Sequence, residues 1–413
     1  MSRLMRRLRS RGAERGAVAV LVAILFGSGV LLGMAALVVD VGGMYAEKAQ
    51  LQNGADAGAL AVATGCAKGS ATCGTSVTAV NAACSTAANA STGIASCNAN
   101  DNKTAVDQVC GVGSGLRACT GPQKGCPTAP AGNYAQVQTS TLTSGGSTLL
   151  PPAFGKAVMG SSWAGKNVQA CAQASWGAPT TLGNAVAFSI SDCEWNTDTG
   201  IGTNFASQPP YPPWPQSYLR AGSVNAARSE NVLVLHGEST ATSCGGSDTA
   251  GWDKPGAFGW VGDGSSCSVS ITNNTYPANT GNNAINACVS TFQSAYTNHS
   301  PIFIPVYSGT SGTGAGVQYT LKGFAAFILT GWDFTSGNAG WNSAGGTVKA
   351  PSLIALSEGN NTNQSNYCHK PIVASNSDVC VYGFFTQALI PASALPGGSG
   401  GQNLGATSVK LAG

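Results

Sequence analysis

The sequence predicts a membrane-anchored α+β protein. An N-terminal transmembrane helix continues into an extracytoplasmic helix, and disulfide-rich, mostly β domains follow. Three observations predict this fold class: an uncharged apolar run near the N-terminus, 14 cysteines that all lie beyond it, and short apolar segments bounded by Gly, Asn and Pro in the C-terminal half. Only 9% of the residues are charged, against about 25% in typical soluble domains, which argues against a highly charged disordered chain.

The predicted transmembrane helix is residues 17–39 (AVAVLVAILFGSGVLLGMAALVV), a run of 23 residues without a charge. At about 1.5 Å per residue this helix is roughly 34 Å long, enough for a hydrocarbon core of about 30 Å. A cleaved secretory signal is the alternative, but its apolar core usually has only about 7–15 residues. The longer run, and a helical pattern that continues past Asp40, favour a retained anchor.

Positive charge is concentrated before the apolar run. Residues 1–16 contain six Arg and one acid, Glu14, whereas the other 397 residues contain 14 Lys or Arg and 16 Asp or Glu. Because basic flanks stay inside, we expect a cytoplasmic N-terminal tail, a single pass through the cell membrane and an extracytoplasmic C-terminus. The body of the chain has no basic patch with interleaved aromatic residues, which argues against nucleic-acid binding.

Residues 40–64 are predicted to continue the helix outside the bilayer. Val41, Met44, Leu51 and Ala55 recur there at helical spacing. Several glycines weaken the segment, each by up to about 1 kcal/mol relative to Ala. A second packed element must therefore supply the difference.

The cysteines predict disulfides, because an even number in an exported region favours bridges. Seven lie within residues 66–126 and seven within residues 171–380, so complete pairing requires at least one bridge between the two groups. The candidates are Cys66, Cys73, Cys84, Cys97, Cys110, Cys119, Cys126, Cys171, Cys193, Cys244, Cys267, Cys288, Cys368 and Cys380. A zinc site is the alternative, but the chain has no CxxC and its three histidines are far apart.

Composition divides the exported part into two predicted domains. Residues 65–207 are rich in Cys, Ala, Ser and Thr, and residues 208–215 (QPPYPPWP) form a linker stiffened by five prolines. Residues 216–413 are predicted to form a β-rich domain. In the first domain we expect helical patches at 78–88, loops elsewhere up to 130, strands at 134–139 and 168–176, and a short proline-initiated helix at 151–160. In the second we expect strands at 231–236, 302–307, 324–329, 379–390 and 406–411.

Motifs of common active sites are absent, including GxSxG, HExxH, Walker A and GxGxxG. His236, Glu238 and Ser239 lie at the end of one predicted strand, but triads are assembled from separate loops, and a turn explains these residues better. Three loop carboxylates fit no EF-hand spacing: Asp248, Asp253 and Asp263. We therefore expect no enzyme activity, no bound metal and no cofactor.

A longer pattern surrounds the apolar run. Its parts are Glu14-Arg15-Gly16-Ala17 before the run, Val39-Asp40-Val41-Gly42 and Tyr45 after it, and then residues 51–61 (LQNGADAGALA). This pattern resembles the N-terminal region of TadE/TadG-like Flp (tight adherence) pilus-assembly proteins. Gly54 and Gly58 stand where alanines are usual in that family, which loosens the helix. Residues 258–260, 323–331 and 380–413 look like the larger actinobacterial members of the family.

The resemblance implies a structural or accessory component of Flp-type pilus assembly, with the membrane and pilus-assembly or pilin proteins as its partners. It also implies that residues 65–207 form a Cys-rich, pilin-like domain. The implied assembly-helix residues are Gly16, Asp40, Gly42, Tyr45, Leu51, Gln52, Ala55, Asp56, Ala59 and Leu60.

Two alternatives stay open at this point. Gly29 and Gly33 have GxxxG spacing, which allows self-association through the N-terminal helix, although a monomeric anchor is the better explanation of a single span. The alternative function is a membrane-tethered extracellular adhesin or ligand-binding protein unrelated to pili.

Overall fold

The protein has a mixed α+β architecture with several disulfides and mostly β elements in its C-terminal part, as the sequence predicts. The computed structural model describes residues 2–68, 73, 93–121, 125–156, 164–206, 231–236, 259–262, 265–279, 284–312, 316–333, 379–394, 396–397 and 400–412. The chain divides into two compact units. Unit 1 comprises Met1–Cys66, Ala71–Ala174 and Leu411–Gly413, and unit 2 comprises Ala67–Ser70 and Ser175–Lys410.

Unit 1 begins with one continuous helix, α1 (Ser2–Ala67), of 66 residues. At about 1.5 Å per residue it extends roughly 100 Å. The predicted helices at residues 17–39 and 40–64 are therefore parts of one element, and their helical character is confirmed.

A short helix and three strands of one sheet follow α1 in unit 1. They are α2 (Ile94–Asn98), β1 (Ala105–Val112), β2 (Asn133–Ser140) and β3 (Gln169–Gly177). The strand order is β1-β2-β3, and β1 pairs antiparallel with β2. Strands β2 and β3 confirm the predictions at 134–139 and 168–176. Of the predicted helix at 151–160, residues 151–154 are not helical, Gly155 and Lys156 are helical, and residues 157–160 lie outside the described residues, as does the predicted patch at 78–88.

The prediction of a loop at residues 105–112 was wrong, because these residues form β1. Val106 and Cys110 are buried, but the residues between them do not alternate between buried and exposed as in a regular strand. A register shift between Val106 and Gln108 interrupts the alternation that identifies a strand in a sequence. Because of this bulge, the sequence pattern did not predict a strand here.

Unit 2 is mostly β. In chain order its elements are β4 (Thr181–Val186), β5 (Ile190–Ser191), α3 (Asp192–Thr199), β6 (Asn231–His236), β7 (Ser268–Ile271), β8 (Thr275–Pro277), α4 (Ala284–Thr297), β9 (Ile302–Ser311), β10 (Gln318–Asp333), β11 (Val379–Thr386), β12 (Ala388–Leu389), β13 (Pro396–Gly397), β14 (Gln402–Leu404) and β15 (Ala406–Ala412). The strands predicted in this part of the chain are confirmed as β6, β9, β10, β11 with β12, and β15. Helices α3 and α4 were not predicted.

Two sheets of unit 2 enclose its core. One has the order β5-β9-β10-β11-β6, with β8 and β14 also paired to β10, and the other has the order β13-β4-β7. The long strand β10 contributes Phe324 and Phe327, both 0% exposed. The predicted strand at 324–329 therefore lies in the buried core of unit 2.

The structure assigns residues 175–206 to unit 2, whereas the sequence analysis placed them in the first exported domain. Their pairing explains the assignment, since Ile190 in β5 lies parallel to Val306 in β9. The predicted linker at 208–215 lies outside the described residues.

Each of the two units contains disulfides. The bridges are Cys66–Cys73, Cys110–Cys119 and Cys126–Cys171 in unit 1 and Cys267–Cys288 in unit 2. Cys97 and Cys193 are also disulfide-bonded, and no described cysteine is free. Cys126–Cys171 is a bridge between the two cysteine groups, of the kind that complete pairing requires. The other candidates, Cys84, Cys244, Cys368 and Cys380, have no described pairing; of them only Cys380 lies in a described strand, β11.

Candidate functional site

The second half of α1 is packed against the sheet of unit 1. We call residues 47–63 the docked segment. Glu47, Leu51, Ala55, Ala59 and Val62 are all buried in it. Their spacing of three or four residues places them on one face of the helix, so the amphipathic pattern of the sequence marks a packing surface. Small side chains on this face let the helix lie close to the strands.

Gln52 joins the docked segment to β3. Its Nε2 donates to the carbonyl oxygen of Cys171 at 3.1 Å and to Oδ1 of Asp56, one helical turn further on, at 2.9 Å. Asp56 therefore orients the amide that binds the strand. Two polar residues of the family pattern thus serve the attachment of the helix to its own sheet.

A threonine of β2 completes this attachment. Oγ1 of Thr139 lies 3.0 Å from the carbonyl oxygen of Leu51 and 3.4 Å from that of Ala170. Thr139 is fully buried, so its hydroxyl needs a protein partner. Thr139 was not among the predicted site residues. Its inward position in a strand of alternating residues is the signal that identifies it.

Asp40 holds a distant turn of the chain at the end of the apolar run. Its Oδ1 accepts hydrogen bonds from the backbone N–H of Ala153 at 2.7 Å and of Phe154 at 3.0 Å. Gly155 and Lys156 are helical, so these N–H groups precede the first helical residues. A carboxylate that accepts from the first N–H groups of a helix stabilises that end. Asp40 thus acts as a cap supplied from another element.

We expect Asp40→Ala to destabilise this contact by about 1 kcal/mol, because two backbone donors lose their acceptor. Asp40→Asn keeps one carbonyl oxygen and should cost less. Hydrogen–deuterium exchange of the Ala153 and Phe154 amides measures the effect directly. Unchanged exchange in Asp40→Ala would contradict the capping role.

Glu47 is the buried carboxyl of the docked segment, at 7% exposure. Desolvation by burial raises its pKa, a hydrogen bond with the side chain of Thr141 opposes that rise, and the charge of Asp101 adds to it. The folded state therefore binds the Glu47 proton more tightly than the unfolded chain does. Glu47 was also not predicted. Its position four residues before Leu51, on the apolar face, is the signal in the sequence.

Glu47→Gln should make unit 1 more stable at pH 7 than the wild type. The pKa of Glu47 is higher in the folded state, so the wild type loses stability as pH rises from the unfolded pKa through the folded one. Glutamine removes that loss, and the two proteins should converge near pH 4, where the carboxyl is protonated. Thermal unfolding by circular dichroism at pH 4 and pH 7 measures the difference. A variant less stable than the wild type at both pH values would show that the charge itself is needed.

The remaining residues of the family pattern divide by exposure. Ala55 and Ala59 are 0% exposed, and Leu60 is half-buried. Gly16 and Gly42 are exposed, with open space where a side chain would lie, and Tyr45 is 71% exposed. The pattern therefore contains residues used inside unit 1 and residues that face outward from α1.

The apolar run of α1 is exposed where its side chains are described. We call residues 16–24, 26–27 and 33–39 the exposed segment. Its large apolar side chains include Leu21, Phe26 and Leu37, at 59%, 74% and 64% exposure. Such a continuous apolar surface is unusual on a soluble monomer and indicates an interaction surface.

Within the described residues, no helix has an apolar stretch of sufficient length to cross a membrane. The transmembrane segment at residues 17–39 thus stays a prediction.

Other candidates for chemistry lie mostly outside the described residues, namely Glu238, Ser239, Asp248, Asp253 and Asp263. The backbone of His236 ends β6. Among the described residues, no group of three or more His, Cys, Asp and Glu side chains is placed to hold a metal ion.

Comparison with known proteins bears on α1 alone. Neither the curated proteins nor the solved structures include a match to this chain. A family model described as Putative Flp pilus-assembly TadE/G-like matches residues 16–65. These residues cover the exposed segment and the docked segment together. Over residues 16–65 the chain thus matches the TadE/G-like family of putative Flp pilus-assembly proteins, and the resemblance expected from the sequence is confirmed.

Proposed function

We propose that this protein is a structural or accessory component of Flp-type pilus assembly at the cell envelope. In this proposal residues 17–39 span the cell membrane once, residues 1–16 stay in the cytoplasm, and the part of unit 1 beyond residue 39 and all of unit 2 are extracytoplasmic. The observation that carries the proposal is the family match at residues 16–65, which covers both the exposed, apolar segment of α1 and its docked segment. The role is structural and involves no catalysis.

The apolar side chains of the exposed segment support the proposal that a partner protein or a lipid bilayer surrounds it. Fully burying one large apolar side chain stabilises a structure by about 1.5–3 kcal/mol relative to leaving it exposed. Leu21, Ile24 and Phe26, each at least 59% exposed, are three of many such side chains. Lipid acyl chains or the helices of pilus proteins would bury them.

The disulfides support an extracytoplasmic position for unit 2 and for the part of unit 1 beyond residue 39. Bridges persist in oxidising compartments and are rare in the cytoplasm. Both units contain them, and the basic residues that favour the cytoplasm lie before residue 17. This orientation can be tested with a membrane-impermeant thiol label applied to whole cells after mild reduction. Labelling only after lysis would contradict it.

Tyr45 is the best candidate for contact with another protein, because it is the large exposed side chain of the family pattern beyond the predicted span. In a strain that lacks the gene, we expect few or no surface pili by electron microscopy. Wild-type protein should restore them and Tyr45→Ala should not, although removal of an exposed side chain should change stability by less than about 0.5 kcal/mol.

The matched control is Val112→Ala, which shortens an exposed side chain, 51% accessible, at the end of β1. It should restore pili like the wild type, and protein levels should be equal for all three proteins. Normal pili in the deletion strain would leave the proposed function without support. Normal pili with Tyr45→Ala would remove only the assigned contact.

A further inference from the structure

Unit 2 contains an open cleft with a volume of about 430 Å³. One wall is formed by β4 and β7, and the other by α4 and the turn between α4 and β9. The polar side chains that line it include Asn184, Ser268, Ser290, Ser294, Asn298 and Ser300. All six residues are exposed, so their polar groups are accessible to a ligand from solvent.

The walls of the cleft are tied to each other and to the sheet. The Cys267–Cys288 disulfide joins the residue before β7 to α4. On the other side, β7 pairs with β4, with Val186 opposite Ser268. A covalent link and a strand ladder therefore fix the distance between the walls, and a ligand would not have to order them.

The polar groups are also held in place by one another. Nδ2 of Asn298 donates to Oγ of Ser294 at 3.2 Å, and the hydroxyl of Ser268 donates to Oδ1 of Asn184. Each hydroxyl oxygen has two lone pairs and each amide has two N–H groups, so donors and acceptors are left for a ligand. The cleft presents fixed hydroxyl and amide groups.

The lining carries no charge among the described residues, and its apolar surface includes Pro301, Pro391 and Ile302. An anionic or cationic ligand would lose water without gaining a counter-charge, which is unfavourable. A neutral saccharide has hydroxyls for the amides and serines and C–H faces for the prolines. The volume is in the range of small-molecule sites.

We propose that the cleft between α4 and the β4–β7 pair is a binding site for a neutral carbohydrate of one or two sugar units. The site is independent of the role of α1 in pilus assembly, and its test does not depend on pili.

The test titrates the full chain in lipid nanodiscs, without sugar-based detergents, by isothermal titration calorimetry and saturation-transfer NMR. The probes are glucose, galactose, mannose and N-acetylglucosamine and their disaccharides, with glucuronate and glucosamine as charged comparators. Ser294→Trp places a large ring in the cleft from an exposed position on α4 and should weaken binding at least about tenfold. Asn298→Ala, which removes one amide, should weaken binding less.

The matched control is Thr297→Trp, the same new side chain on the same helix at an exposed position outside the cleft lining. It should bind like the wild type. Absence of binding for every neutral sugar would overturn the proposal. Affinities of Ser294→Trp and Asn298→Ala that both equal the wild-type affinity would also overturn it. Equal affinity for glucuronate or glucosamine would overturn the assignment to a neutral ligand.

Discussion

Replacing Cys126 and Cys171 together by serine is expected to lower the stability of unit 1 by about 4 kcal/mol. The bridge closes a loop with a sequence separation of 45, and the chain entropy that it removes from the unfolded state grows with loop length. Cys171 also links β3 to α1, because its carbonyl oxygen accepts the hydrogen bond from Gln52. We expect the loss of the bridge to loosen the docked segment as well as β3.

Hydrogen–deuterium exchange of β2, β3 and residues 51–63 measures this loss locally, without the assumption that both units unfold together. The control replaces Cys66 and Cys73, which are separated by 7 residues, and should cost only about 2.5 kcal/mol. Replacement of both partners in each variant leaves no unpaired thiol for mispairing. Equal losses in the two variants would show that loop closure does not govern the stability of unit 1.

The local sequence pattern was sufficient to predict the helices and strands that have a regular hydrophobic periodicity. The helical spacing of residues 41–59 and the apolar runs of β9 and β10 are signals that neighbouring residues carry by themselves. In α4, Cys288 and Phe292 are 0% exposed and lie one helical turn apart. That pair is too short a signal among Ser, Thr and Asn, so the helix was missed.

The features that the sequence did not predict depend on pairing between residues that are far apart in the chain. Strand β5 has only two residues, and it joins unit 2 because Ile190 pairs with Val306, more than 100 residues further along the chain. Likewise, Asp40 was identified from a resemblance, but its partners at Ala153 and Phe154 lie 113 and 114 residues away. The family pattern located the site, and only tertiary structure assigns Asp40, Gln52 and Asp56 to attachment within unit 1.

Gly54 illustrates how a departure from the family pattern has a local cause. Alanine is usual at this position in the family that the sequence resembles, and glycine was expected only to loosen the helix. In the structure α1 lies against α2 at this position. A Cβ on Gly54 would stand 2.6 Å from the carbonyl oxygen of Ala95 and 3.3 Å from its carbonyl carbon. These are backbone atoms and have no rotamer with which to move away.

We therefore expect Gly54→Ala to destabilise unit 1 by roughly 1–3 kcal/mol through overpacking, even though alanine favours a helix by up to about 1 kcal/mol. Gly54→Leu should lie at the upper end of that range. The matched control is Gly42→Ala, since Gly42 lies on the same helix with nothing within 4 Å of its added Cβ. There only the helix preference acts, so the free energy of unfolding should rise. Exchange of the α2 and β2 amides compares the variants. A lower free energy of unfolding for Gly54→Ala and a higher one for Gly42→Ala would establish the close approach of α1 to α2 at Gly54. Changes of the same sign in both variants would refute it.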